Sequence, residues 1–198
     1  MMYTYCLFCE TAKCSIIAME AKAFYQCTAI SPKQIQHTWQ KGAMVDRIRD
    51  FLPGYLFLYS EEPLNLYRCR YLPGVLRCLR TYDNSYELGG SDDAFAKMLL
   101  EKEGIIGKTE VYQEGDRIHL TEGAFSGLKA KILKVDHRAG RMQIEIPFAR
   151  RLVKTWVEYE IVDPAAAKFS DAQTGNESDK KQTAINRKQN ESPKKNHE

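Results

Sequence analysis

The chain has 198 residues, 43% of them hydrophobic, and carries 29 Lys and Arg against 26 Asp and Glu, a formal net charge of +3. That apolar content suffices for one or two globular cores and excludes a disordered or fibrous chain, while the small net charge means that any basic face has to be local. No apolar run is long enough for a membrane span, and the N-terminus lacks the charged and then apolar layout of a secretion signal, which predicts a soluble cytoplasmic protein.

Residues 3–9 read as a short strand, followed by a helix over 12–24 with Ile16, Ile17, Ala21 and Phe24 on one stripe. A second strand over 25–30 stops at Ser31-Pro32, and the polar stretch 33–50, which carries Trp39, reads as a long loop or a loose helix. The most apolar strand of the chain is Tyr55-Leu-Phe-Leu-Tyr59, reached through Pro53-Gly54. Pro63 opens a helix with Leu64, Tyr67 and Tyr71 on one side, and Pro73-Gly74 closes it ahead of a strand over 75–79. Ser91-Asp92-Asp93 supplies an N-cap and two acids for a helix carrying Phe95, Met98 and Leu99 that ends at Gly104. This order predicts an α+β sandwich of about 100 residues, with helices packed on a mostly antiparallel sheet.

Residues 103–114 form a connector without apolar period. Beyond it the period becomes two: Ile118 and Leu120; Ala130 and Ile132; Met142, Ile144 and Ile146; Val153, Val157 and Ile161. Turn signals at 122–127, 136–140 and 147–149 separate the runs, and about 50 residues in four or five strands is the size of a small closed barrel. From Asp163 onward there is one aromatic residue, Phe169, and seven Lys and Arg stand against six Asp and Glu, which reads as a solvated, disordered tail.

The six cysteines include one C-x-x-C pair, Cys6 and Cys9. A zinc site wants a second pair to answer the first, and a redox pair wants the N-terminus of a helix; here both thiols lie in a strand and point to opposite faces. Reduced, partly buried thiols are expected. The sequence holds no phosphate-binding glycine loop, no nucleophile elbow and no H-E-x-x-H, and its four histidines are scattered, so neither an enzyme nor a metal or other cofactor is expected.

Two surfaces remain as candidates. Phe51-Leu-Pro-Gly-Tyr55, with Tyr5 in the opening strand, either fills the helix-covered face of the sheet or forms an apolar patch for a partner. The second half of the barrel gathers Lys129, Lys131, Lys134, Arg138, Arg141, Arg150, Arg151 and Lys154, although residues 113–162 have a net charge of only +2. Lys129 and Lys131 share a face opposite Ala130 and Ile132, either as a solvated surface or as a track for RNA phosphates.

Phe51-Leu-Pro-Gly-Tyr-Leu-Phe-Leu58 followed by Leu72-Pro-Gly-Val-Leu-Arg77 resembles the paired signature of the N-terminal (NGN) domain of the NusG family. The segment from Glu114 to Ile132, with Gly115, Gly123, Phe125 and Gly127, resembles that family's KOW motif. The resemblance spans residues 3–162 and implies an NGN domain over 1–110, an SH3-like KOW barrel over 111–162 and a disordered tail over 163–198. Two departures stand out: Thr4-Tyr5 replaces an opening Trp-Tyr, and Leu52 replaces an aromatic residue. The opening Tyr5-Cys-Leu-Phe-Cys-Glu-Thr11, the basic barrel and Arg150-Arg151 resemble the LoaP-type specialised paralogues.

What this resemblance implies is a monomeric, non-enzymatic bacterial antitermination factor, associated with the nucleoid during transcription. Tyr5, Phe51, Leu52, Pro53 and Tyr55 would bind the clamp helices of the largest RNA polymerase subunit, and the eight basic barrel residues would contact a hairpin in the nascent RNA. The alternatives are a general NusG factor whose barrel meets the ribosome, and a ribosome-associated KOW protein that binds RNA only.

Overall fold

The structure is a computed structural model that describes residues 2–163 except 82, 116, 122–124, 126 and 127, with the side chains of Trp39, Arg70 and Arg117 also undescribed. Gly123, Gly127 and the tail from residue 164 onward lie outside the described residues.

Strand β1 (Tyr3–Cys9) pairs antiparallel with β5 (Tyr55–Ser60), and with β2 (Thr28–Ile30) and β6 (Val75–Cys78) they form a sheet of order β2-β5-β1-β6. The unbroken apolar run of β5 is explained by its central place, since both of its faces are covered. Tyr55, Phe57 and Tyr59 enter one apolar cluster, and Leu56 and Leu58 enter the other. Cys6 and Cys9 separate in the same way, as strand alternation requires.

Helix α1 (Cys14–Tyr25) covers the Leu56 face through Ile17 and Ala21. Ile16 and Phe24 flank that stripe and are about half exposed, so only part of the predicted stripe packs. Helix α2 (Gly90–Glu101) lies at the Phe57 face with Phe95, Ala96 and Leu99 buried, and the Tyr59 hydroxyl donates to the Ala96 carbonyl at 2.7 Å. Its N-cap is Gly89, which places Ser91 inside the first turn rather than at the cap.

Three segments differ from the sequence expectation. Residues 33–50 are neither loop nor helix but a long hairpin of β3 (Lys33–Gln40) and β4 (Ala43–Asp50). Lys41 and Gly42 both have positive φ, 49° and 82°, as a two-residue hairpin turn demands. The hairpin stands largely in solvent, with Ile48 67% exposed, so no strict apolar alternation was needed to build it. The helix expected after Pro63 is only a 3-10 turn, Arg68–Tyr71. Tyr67 and Tyr71 are exposed and touch each other, and the buried residues described in the segment are Leu66 and Cys69 rather than the expected Leu64, Tyr67 and Tyr71 stripe. The connector over 103–114 carries β7 (Ile105–Ile106), parallel to β3, and β8 (Thr109–Glu114).

Strands β9 (Arg117–Leu120), β10 (Lys131–Asp136), β11 (Arg141–Phe148) and β12 (Arg151–Ile161) complete a five-stranded sheet of order β10-β11-β12-β8-β9, with β8 parallel to β12. Met142, Ile144 and Ile146 alternate inward as the period of two predicts, and the strand runs on through Pro147 to a buried Phe148, where a turn over 147–149 was expected, because Phe148 continues the inward alternation into the core. Among the described residues β9 and β10 stay at the two ends of this sheet, without the ladder that would close it into a barrel. One apolar cluster runs from Phe51, Phe57 and Phe95 through Phe125 and Leu128 to Met142, Ile144 and Phe148, so the N-terminal sheet and the C-terminal sheet share a core.

Candidate protein and nucleic-acid interfaces

The turn before β5 sets the position of the aromatic face. Gly54 has φ of +83°, and a Cβ built on it would lie 2.7 Å from the Cys9 carbonyl oxygen, while the Cys9 amide donates to the Gly54 carbonyl at 2.7 Å. Only glycine fits that approach, so the Pro-Gly-Tyr sequence is first a device that pins β5 against β1 and turns Tyr55 to the Phe57 side of the sheet.

Phe51, Leu52 and Tyr55 converge on this face, all nearly inaccessible, and Pro53 beside them is exposed. Their cover is the C-terminal sheet. The Phe148 ring sits 5.4 Å from Phe57, 5.9 Å from Phe95 and 6.1 Å from Tyr55, and the Phe125 ring lies 5.8 Å from Phe51. Tyr5 does not join them. It points to the α1 side, and its hydroxyl accepts a hydrogen bond from the Leu64 amide at 3.0 Å.

Polar contacts fix the cover at three points. The Thr155 hydroxyl donates to the Phe51 carbonyl at 2.7 Å inside the core. Glu158 holds the β3–β4 hairpin through both the amide and the ring Nδ1 of His37, each at 2.6 Å. The Ala149 amide donates to the Asp92 carboxylate at 3.0 Å. Ala149 and Arg150 form the turn between β11 and β12 with positive φ of 45° and 65°, a conformation that costs non-glycine residues about 1–3 kcal/mol each and that this contact with Asp92 helps to hold.

Burial raises the Asp92 carboxyl above its usual range, and the hydrogen bond from Ala149 lowers it by less. A carboxyl raised in the closed chain binds its proton more tightly there than when solvated. Its stabilising contribution is therefore present at acid pH and lost as pH rises through the raised value. Asp92→Asn keeps the acceptor for Ala149 and removes the charge. Its melting temperature should exceed that of the parent chain at neutral pH, and the gap should close as pH falls toward the ordinary carboxylate range. A gap that widens on acidification would contradict this.

The basic residues named from the sequence divide into two groups. In the ladder of β10, β11 and β12, Lys131 faces Glu145 and Glu145 faces Lys154; Lys134 faces Gln143 and Gln143 faces Trp156; Asp136 faces Arg141 and Arg141 faces Glu158. These positions alternate with the buried Ile144 and Met142 and therefore form the outer face of the sheet. Lys131, Lys134, Arg141 and Lys154 are exposed there, with Arg138 in the adjoining turn. Lys154 pairs with Glu145 at 3.6 Å and Arg141 with Asp136 at 3.3 Å. The Arg141 guanidinium also lies 4.9 Å from the centre of the Trp156 ring.

Lys129, Arg150 and Arg151 lie elsewhere. Lys129 and Arg150 line a cleft of about 570 Å³ beside Gly89 and Asp92 at the start of α2. Arg151 reaches back over the Phe8 ring at 5.9 Å and interacts with the Tyr55 hydroxyl, which places it at the contact between the two sheets. Trp156 and Gln143 are members of the outer face that the basic residues alone did not reveal; the alternation of β12, which puts Trp156 in step with Lys154, was the available signal.

All six cysteines are free and buried. Burial pushes the Cys9 thiol up to about 12 and the Cys6 thiol well above its ordinary value, so both stay protonated at neutral pH. Among the described residues no group of three or more His, Cys, Asp or Glu could hold a metal ion, and no helix is long and apolar enough to cross a membrane.

No family model matches the sequence, and no curated protein does. Among solved structures, the chain is similar to one described as "Domain interaction in Thermotoga maritima NusG", at 13% identity over 80% of this chain and 94% of that one, with a TM-score of 0.45.

Proposed function

We propose that this chain is a NusG-like transcription factor that binds RNA polymerase through the aromatic face of β5 and RNA through the outer face of β10–β12, and so acts as a specialised antitermination factor. The reading is carried by one observation. The segment that resembles the family's N-terminal signature brings Phe51, Leu52, Tyr55 and Phe57 to one face, and that face is covered by the C-terminal sheet through Phe148, Ala149 and Thr155, with Phe125 of the KOW-like segment beside them, by contacts that are all non-covalent.

In this reading Phe51, Leu52, Pro53 and Tyr55 dock on the clamp helices once the C-terminal sheet moves off, and Tyr5 supports the sheet from its far side. The factor favours elongation only to the extent that it binds the elongating conformation of polymerase more tightly than the paused one. The chain's own closed form reduces its apparent affinity by the fraction of molecules that are open. RNA held on the outer face leaves the aromatic face untouched, since that face packs against the inner side of the C-terminal sheet and the RNA would lie on the other side. A factor of this kind can therefore be tied to a transcript before it opens.

The test is retention of purified bacterial core RNA polymerase by the immobilised full chain. Saturable retention that rises in an opened variant, and is lost when Tyr55→Ala is added to that opened variant, supports the reading. No retention by either the parent chain or an opened variant overturns it.

A further inference from the structure

We propose that Trp156, capped by the Arg141 guanidinium, is a stacking platform for an unpaired nucleobase, so that the outer face of β10–β12 takes a looped or bulged RNA segment rather than a continuous duplex. The inference rests on the RNA reading above and narrows it to a ligand class.

The ladder register carries the proposal. Trp156 occupies the end of the middle row, across Gln143 from Lys134, with Lys131 and Lys154 in the row on one side and Arg141 in the row on the other. With neighbouring strands about 4.8 Å apart, the backbones that carry Lys131 and Lys134 on β10 lie roughly 10 Å from those of Lys154 and Trp156 on β12, with Glu145 and Gln143 of β11 between them. Trp156 is partly buried and its described ring partner is the Arg141 guanidinium, so it sits outside both apolar clusters. Phosphates can be tracked by the lysines alone; the ring adds something only for a ligand that presents a flat π surface.

Arg141 completes the platform. Its Nε donates to Asp136 at 3.3 Å, which helps hold the guanidinium carbon 4.9 Å from the centre of the indole. A planar guanidinium stacks on a base as readily as on an aromatic ring. Gln143, directly opposite Trp156, offers amide donors and an acceptor to the edge of a base. Lys131 and Lys134 form no ion pair among the described residues and are exposed, which suits them to the flanking phosphates. A base inside an A-form duplex keeps both of its faces stacked within the helix, so this ring and guanidinium select an unpaired one.

The chain has two tryptophans, so Trp39→Phe leaves Trp156 as its only indole reporter. The full-length Trp39→Phe chain is titrated with an RNA hairpin carrying a single-stranded loop and with a blunt duplex of the same stem, at several salt concentrations. The looped RNA is expected to quench Trp156 and the duplex to leave it bright. Trp156→Ala should weaken the looped RNA by about tenfold, within the range measured for base stacking on aromatic side chains. The salt slope and the duplex affinity should stay unchanged, and Trp156→Phe should recover part of the loss. Lys131→Glu with Lys134→Glu should weaken both RNAs and flatten the slope.

Binding of both RNAs without quenching by the loop, or equal weakening of both by Trp156→Ala, overturns the stacking platform and leaves RNA binding in place. Absence of binding by either RNA at low salt overturns both. Circular dichroism of each variant checks that the sheet is intact, and the quenching experiment reads the platform without altering Trp156.

Discussion

Phe148→Asp should release the C-terminal sheet from the aromatic face and raise retention of RNA polymerase by at least about tenfold. Phe148 is buried within ring contact of Tyr55, Phe57 and Phe95. Removing a phenylalanine from such a cage costs about 3–5 kcal/mol, and an ionised carboxylate in its place adds a desolvation cost. Since each 1.4 kcal/mol is a factor of ten in population, that loss is enough to turn a closed form favoured by about 2 kcal/mol into a minor one. The open chain should bind a hydrophobic dye and give a larger radius of gyration in X-ray scattering, with far-ultraviolet circular dichroism little changed. Unchanged scattering and unchanged retention would mean that the sheets stay together without this ring, and would locate the closing energy at Thr155, His37 and Glu158 instead.

The pair Leu52→Ala and Tyr55→Ala separates packing from recognition at the same face. Both side chains are buried, at 2% and 6% exposure, against the apolar cluster shared by the two sheets. In the parent chain the double variant should lower stability by about 5–10 kcal/mol, the sum of two large-to-small substitutions in a core, and should abolish polymerase retention. Both outcomes are also what a purely structural role gives. In the Phe148→Asp background part of the packing has already gone, so the two changes are coupled and the added loss of stability should be smaller. Polymerase retention should still fall by about 2 kcal/mol or more for each anchor if these side chains meet the partner. Retention that survives the pair in the open background would remove Leu52 and Tyr55 from the polymerase surface. Denaturant titration and polymerase pull-down on the same four proteins decide it. Arg151→Glu suits this purpose less well, because Arg151 lies over Phe8 and beside Tyr55 and its loss disturbs both surfaces together.

Local pattern carried much of the architecture. The run Tyr55-Leu-Phe-Leu-Tyr59 read as the most apolar strand of the chain, and the opposed thiols of Cys6 and Cys9 follow from strand geometry without knowledge of any neighbour. The inward set Met142, Ile144 and Ile146 was likewise written in the alternation of β11, whereas Phe148, read with Pro147 as a turn, became its last inward residue only through its contacts. The pattern failed where burial did not depend on it. The β3–β4 hairpin is largely solvated, so its alternation is blurred, and Tyr67 and Tyr71 are exposed rather than the apolar stripe of a helix.

Periodicity says which side of a strand is apolar and is silent about what will cover it. That Phe148 closes on Tyr55 and Phe57, that Thr155 reaches the Phe51 carbonyl 104 residues away, and that Glu158 clasps His37 across 121 residues were decided by complementarity between distant surfaces. The same holds for the charges. Eight basic residues read as one set along the chain, but the ladder places Lys131, Lys134, Arg141 and Lys154 around Trp156 and sends Arg151 to the sheet contact, because register and docking act between strands and leave no period in the sequence of any one of them.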